Sequence, residues 1–219
     1  MVTATGEDEE PVRRLLDAVR RTVAVTTGRS PSGLGHDDAP DDAGTVATDD
    51  AVGFDPFPLL ARLDAAGAPV VVIGQVAGIL HGSVELTGDL DLLWDGDPRH
   101  APALAEAFGR AGATLTADDG AELPCTPGAF ERRKVQFRSP SASGDCCTPQ
   151  LPWGDLPVAA FLDRAVNTRT ADGGTVRYLD AADLVAMRRA SGRPRDLRRA
   201  DELERLIAAS TATPRPAAT

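Results

Sequence analysis

Asp89 and Asp91 stand two residues apart in the run Thr87-Gly88-Asp89-Leu90-Asp91-Leu92, with leucines at the alternate positions. On a β-strand, residues i and i+2 share a face, so both carboxylates project together, about 6–7 Å apart along the chain. Two like charges so placed repel and raise one another's pKa unless a cation lies between them. Hard oxygen donors at a sheet margin suit Mg²⁺, which keeps waters and shares phosphate oxygens of a substrate. Just upstream, the β-branched run Val70-Val-Val-Ile73 ends at Gly74 and gives way to a helical stretch, Gln75 to Leu80, closed by His81-Gly82. The free N–H groups at such a helix start can face a phosphate. A metal-binding strand and a helix N-terminus meeting in one place describe a nucleoside triphosphate site. Taken singly, an Asp-x-Asp is ordinarily the solvated face of a strand and a Gly before a helix is ordinarily a turn. The reading rests on all of these pieces lying within the 25 residues from Val70 to Trp94.

The elements that must position this segment follow from hydrophobic periodicity and turn chemistry. Pro56 to Gly67 reads as a helix ended by its glycine, and Val70–Ile73 as a buried strand. Pro98 to Arg110 reads as a helix whose apolar stripe is Leu104, Ala107, Phe108 and Ala111. Thr114–Thr116 and Lys134–Arg138 read as strands. Ala165–Arg169 and Thr175–Leu179 flank Ala-Asp-Gly-Gly, a hairpin signal. Asp180 can cap a following helix, Gly192 can end it, and Pro194 suits the first turn of another. The class is α/β (α+β), a small mixed sheet flanked by helices, with two helices at the C-terminus.

Residues 1 to 52 differ in character, with 11 acidic and 5 basic side chains in the first 50 positions. A short helix from Pro11 carries Val12, Leu15, Leu16 and Val19 on one face. Thr26 to Asp50 has no apolar period and reads as a flexible linker, because it lacks the apolar surface to offset its ordering entropy. The expected organisation is an acidic, largely flexible segment over 1–52, a folded domain over 53–210 and a frayed tail over 211–219.

Composition narrows the function classes. The 219 residues carry 23 basic and 33 acidic side chains, a net charge of -10, which opposes broad duplex binding. Aromatics make up 4%, too few for a base-stacking platform. No apolar run reaches the ~18 residues of a membrane span, so no membrane partner is expected. Three cysteines do not make a disulfide scaffold, and a cytoplasmic location is the default expectation. Cys125, Cys146 and Cys147 read as packing residues, His81 as a helix cap, and Trp153 as a loop anchor with a second reading as a wall of a base pocket. Arg188 to Arg199 is a locally basic stretch, readable either as phosphate-reaching or as a helix face laced by Asp196, Asp201, Glu202 and Glu204.

On these residues the chain resembles the nucleotidyltransferase superfamily of DNA polymerase beta-like enzymes, and within it the small prokaryotic branch with toxin nucleotidyltransferases of the AbiEii type. The likeness is carried by Gly74-Gln75, His81-Gly82 and Thr87 to Leu92, and by a second stretch, Leu184-Val-Ala-Met-Arg188 followed by Gly192-Arg-Pro-Arg-Asp-Leu197. It spans roughly residues 54 to 208. It departs from the pattern at Gln75, where relatives carry Gly or Ser, and at Glu85, where many carry a basic residue. The resemblance implies a nucleotidyltransferase fold and a Mg²⁺-dependent transfer of a nucleoside monophosphate to a hydroxyl on an RNA end such as that of tRNA, a protein or a small molecule, as in toxin–antitoxin systems. It implies Asp89, Asp91 and a third carboxylate as catalytic ligands of two Mg²⁺ ions, with Gly74, Gln75, Thr87 and Arg188 on the nucleotide. For the third carboxylate, Ser143-Gly-Asp145-Cys-Cys147 fits the family's strand better than Val135-Gln136-Phe137, so Asp145 is selected. A member of the same fold that binds nucleotide or a protein partner without turnover is the alternative.

Overall fold

A computed structural model describes residues 9–35 and 38–212. The tail from 213 onward and His36 lie outside the described residues. The fold is mixed α/β, with seven α-helices among the described residues and one eight-stranded mixed sheet. The strands are β1 (Val70–Val72), β2 (Leu92–Trp94), β3 (Thr114–Thr116), β4 (Glu122–Leu123), β5 (Lys134–Arg138), β6 (Ser143–Cys147), β7 (Val166–Arg169) and β8 (Thr175–Tyr178), in the spatial order β4-β3-β5-β6-β2-β1-β8-β7. The helices are α1 (Glu10–Thr26), α2 (Phe57–Ala65), α3 (Gly74–Leu80), α4 (Ala101–Arg110), α5 (Val158–Asp163), α6 (Ala181–Ser191) and α7 (Pro194–Ala212).

Pairing directions decide where chemistry can gather. β1 runs antiparallel to β2 and parallel to β8, while β2 runs parallel to β6. The C-terminal ends of β1 and β8 and the N-terminal ends of β2 and β6 therefore lie along one edge of the sheet. Everything entering or leaving those strands there, namely Gly74, the residues before Leu92, Asp145 and the start of α6, is brought to one place. The sheet is buried by Val71, Val72, Leu92, Leu93, Trp94 and Val135, with the Phe108 ring in contact with both Phe130 and Phe137.

Local signals place several elements as expected. The Asp180 carboxylate accepts from the Ala182 N–H at 2.9 Å and caps α6, and Gly192 ends that helix in the left-handed region at φ 66°. The β7–β8 hairpin closes through Thr170 N–H to Gly174 O at 2.9 Å. Two features differ from the sequence expectation. α1 extends to Thr26 because its buried stripe of Val12, Leu15 and Ala18 continues through Thr22 and Thr26. Their hydroxyls donate to Thr87 O at 3.2 Å and to Thr22 O at 2.8 Å, which removes the cost of burying them. The stretch expected to be a flexible linker lies instead against the domain. It forms short 3-10 turns at Gly44–Ala47 and Asp49–Ala51, with Thr45, Thr48 and Ala51 buried. Apart from Ala51, polar contacts hold it, so a reading based on hydrophobic pattern passes over it.

Among the described residues no helix is long and apolar enough to cross a membrane.

Candidate functional site

Asp89 and Asp91 belong to the extended approach to β2 rather than to the strand itself, which starts at Leu92. The correction has a local cause. β1 stops at Val72 because Gly74 turns the chain into α3, so residues 89–91 have no full ladder on that side. Their backbone is nevertheless held in strand-like register: Ile73 N–H donates to Asp91 O at 2.9 Å and Leu90 N–H to Ser143 O at 2.8 Å. The i, i+2 relation is thereby kept, and both carboxylates line one cavity of about 680 Å³, inside the range of small-molecule sites.

Asp145 arrives from the neighbouring strand. Leu92 pairs with Cys146 and Leu93 with Cys147, so the same parallel register one residue earlier sets Asp145 beside Asp91. On its other side Asp145 faces Gln136 across the β5–β6 ladder, and all three side chains line the cavity. Gly144 makes this register possible: a Cβ there would overlap the backbone of Leu90. Gly74 has a comparable task. It sits at φ 64°, a conformation L-residues rarely take, and a Cβ on it would overlap the Asp91 carboxylate.

Asp89 is buried and accepts hydrogen bonds from two threonine hydroxyls. Thr87 donates to Oδ1, and Thr45, from the N-terminal segment, donates to the same oxygen at 2.7 Å. Thr87 does not line the cavity; its place is beside Asp89, which it orients. The hydroxyls of Thr45 and Thr87 are also 2.9 Å apart. The contribution of Thr45 had no sequence signal, since a threonine in a Gly/Asp/Thr-rich stretch looks like any linker residue.

Gln75 and Arg188 also line the cavity, but their polar groups are committed to the scaffold. The Gln75 amide donates to Ser83 Oγ at 3.0 Å and to Glu85 O at 2.9 Å, and its oxygen accepts from Arg188 at 2.9 Å. The Gln75 side chain, at the position where the chain departs from the family pattern, therefore points into the fold. Arg188 donates further to Gly74 O at 3.3 Å and Arg199 O at 2.9 Å, tying α6 and α7 to the start of α3. Burial, then the nearby Arg199 charge, lower its pKa to about 10, which leaves it a cation at neutral pH. Arg188 is a positioning residue for the Gly74–Asp91 contact. Glu85, an acid where a base was expected, is met by Arg199 through Nε at 3.0 Å and Nη2 at 2.6 Å.

The cavity lining carries both signs of charge. Besides the three aspartates, Arg193, just before α7, Arg195 and Arg199 in its first turns, and Lys134 from β5 line the cavity, as do Asp118 and Asp196. Lys134 reaches Asp145 at 3.4 Å and Asp118 at 3.2 Å. Burial works against its charge, but the two carboxylates outweigh it and raise the lysine pKa. Burial likewise opposes the charge of Asp196, yet hydrogen bonds from Ser191 and Arg193 hold its pKa below the usual value. Arg195 carries two buried nitrogens, Nε and Nη1, with no hydrogen-bond partner. Trp153 is anchored by Nε1–H to Thr148 O at 2.9 Å and contributes to the cavity wall, so the anchoring and lining readings both describe it.

The cysteines pack. Burial pushes the thiols of Cys146 and Cys147 far above their usual pKa, and the Asp145 charge adds to it, so neither is a nucleophile at neutral pH. Cys125 is raised by burial too, and its thiol donates to Ala105 O at 3.4 Å.

His81 is the C-terminal cap of α3, with Nε2 2.8 Å from Leu179 O and its ring against Tyr178 at 4.9 Å. A carbonyl only accepts, so Nε2 carries the proton. Burial lowers the pKa of this imidazole below its ordinary 6.5. The unfolded chain then takes up the proton more readily than the folded one, and the stabilisation from a neutral His81 is lost as pH falls below about 6.5. We expect the wild-type melting temperature to drop more steeply between pH 7 and pH 5 than that of His81→Gln. Parallel slopes for the two proteins would contradict this.

No three His, Cys, Asp or Glu side chains among the described residues are arranged to hold a metal ion by themselves. Comparison with known proteins finds no matching family model, and no curated protein matches the chain.

Proposed function

We propose that this cavity is the active site of a Mg²⁺-dependent nucleotidyltransferase built on a nucleotidyltransferase-type fold. It would move a nucleoside monophosphate from a nucleoside triphosphate to a hydroxyl acceptor. The observation that carries the reading is the convergence of Asp89, Asp91 and Asp145, from two parallel neighbours of one sheet edge, on a cavity that arginines also line. Mg²⁺ ordinarily uses one or two protein carboxylates and completes its shell with water and phosphate oxygens. A site with hard oxygens but no closed three-residue cage therefore suits a metal that arrives with its nucleotide. Asp89 and Asp91 would hold it, with Asp145 beside them, and it would supply positive charge against the triphosphate and the departing pyrophosphate.

The remaining work falls to the chain's own residues. Gly74 leaves room for the Asp91 carboxylate, Thr87 orients Asp89, and Arg188 fixes the α3 start against which Asp91 rests. Arg195, which lines the cavity and has two nitrogens without a hydrogen-bond partner, would turn its guanidinium to phosphate oxygens. A carboxylate of the same cavity would accept the proton of the attacking hydroxyl.

A second reading, nucleotide binding without turnover, is favoured by one feature. The Lys134 ammonium already neutralises Asp145, where the first reading needs a cation. The two are separated by incubating the full chain with each of four α-labelled nucleoside triphosphates, Mg²⁺ and a cell extract. Transfer of label to RNA, protein or small molecules with pyrophosphate release is the expected result. Nucleotide retained on the protein with no pyrophosphate from any of the four would select the second reading.

A further inference from the structure

We infer that Thr45 is an acceptor hydroxyl in cis, so that the chain nucleotidylates its own N-terminal strap; the inference rests on the transferase reading above. The strap, residues 38–52, crosses one side of the cavity and contributes Ala39, Asp41 and Thr45 to its lining. Several tethers keep it there. Arg29 donates to Val46 O at 2.6 Å and to Thr48 O, and Asp49 accepts from Ser32 N–H at 2.7 Å and Gly33 N–H at 2.9 Å. Arg198 donates to Asp41 O at 2.8 Å, and Arg138 pairs with Asp50. Ala51 packs so closely on Gly88 that a Cβ at Gly88 would overlap it.

These contacts deliver one hydroxyl to one carboxylate. Thr45 Oγ1 donates to Asp89 Oδ1 at 2.7 Å, accepts from Gly88 N–H at 3.1 Å and lies 2.9 Å from Thr87 Oγ1. A hydroxyl within hydrogen-bond reach of a carboxylate on the wall of a phosphoryl-transfer site is the arrangement a transferred nucleotide requires of its acceptor. Thr87 touches the same carboxylate oxygen but does not line the cavity, whereas Thr45, though buried, does, so Thr45 is the hydroxyl at the cavity margin. In the step, Thr45 Oγ attacks the α-phosphorus of a nucleoside triphosphate and forms a phosphate ester. The bond from that phosphorus to the bridging oxygen breaks, and pyrophosphate leaves with its electron pair. The hydroxyl proton passes to the Asp89 carboxylate and on to water. The product is a chain bearing one nucleoside monophosphate on the strap, which stands in the place of an external acceptor.

The full-length protein is incubated with Mg²⁺ and each of the four nucleoside triphosphates. Intact mass, fragmentation mass spectrometry and pyrophosphate release are then read together, with and without cell extract. The expected result is a gain of one nucleoside monophosphate located on Thr45, retained in Thr45→Ser and reduced at least tenfold in Thr45→Val. Localisation on the wild-type chain decides the matter even if Thr45→Val folds poorly. Pyrophosphate release and labelled extract with an unmodified chain, or a label on Thr87 or elsewhere, would overturn the inference and leave the transferase reading standing. No pyrophosphate with any nucleotide would overturn both.

Discussion

Asp91→Asn is expected to lower nucleotide transfer by ~10³-fold or more while leaving the melting temperature within a few degrees of wild type. The two halves of this expectation have separate causes. The sheet uses the backbone of residue 91, through Ile73 N–H to Asp91 O, and a change from carboxylate to amide keeps that bond and the side-chain volume. The space beside it, left by the absent Cβ of Gly74, takes an amide as readily as a carboxylate. The lost property is the negative charge and one hard oxygen, both of which a divalent cation needs. Label transfer and a circular dichroism melt on the same preparation check it. Near-wild-type transfer would remove Asp91 from the reaction, and gross unfolding would show that its charge serves the fold.

Gly144→Ala is expected to have the largest effect on stability, about 3 kcal/mol or more, a fall of roughly 6–12 °C in melting temperature for a chain of this size. The added methyl would overlap the carbonyl oxygen, carbonyl carbon and nitrogen of Leu90. None of these is the end of a flexible side chain. Leu90 is fully buried and its N–H is bonded to Ser143 O, so relief requires β6 to slide or part from the approach to β2. Either movement carries Asp145 away from Asp91, so transfer should fall with stability. Gly128→Ala is the control: nothing lies within 4 Å of the position a Cβ would take there, and a change within ~0.5 kcal/mol is expected. Equal melting temperatures for the two variants would show that the β2–β6 register does not depend on Gly144.

Much of the scaffold was legible because its signals are local. Asp180, Gly192 and Pro194 mark the limits of α6 and α7 by capping chemistry that needs no distant partner. The Ala-Asp-Gly-Gly turn marks the β7–β8 hairpin in the same way. The juxtaposition of Asp89 with Asp91 followed from strand alternation and survives even though β2 begins after them, since backbone bonds to Ile73 and Ser143 impose the same pleat. The two-residue β4 and the six-residue α5 were not legible, being too short to show a period.

The strap was misjudged for a different reason. Its hold on the domain comes from Arg29, Arg138 and Arg198 reaching residues 17 to 157 positions away, and from threonine hydroxyls bonded in the interior. Composition registers such a segment as polar and therefore loose. The role of Arg188 was hidden similarly. As a basic residue in a basic stretch it reads as a phosphate ligand, whereas its guanidinium is occupied by Gly74, Gln75 and Arg199. Arg195, seven residues on, also lines the cavity and has two buried nitrogens without a hydrogen-bond partner.

The central claim is that the aspartates of this sheet edge hold a divalent cation together with a triphosphate. A crystal of the full chain grown with Mn²⁺ and a non-hydrolysable nucleoside triphosphate tests it most directly, through the anomalous signal of the metal. An anomalous peak bridging the Asp89 and Asp91 carboxylates and the phosphate oxygens, with the phosphates turned toward Arg195, is the predicted result. A nucleotide bound elsewhere, or one bound in the cavity with no metal on either aspartate, would contradict it.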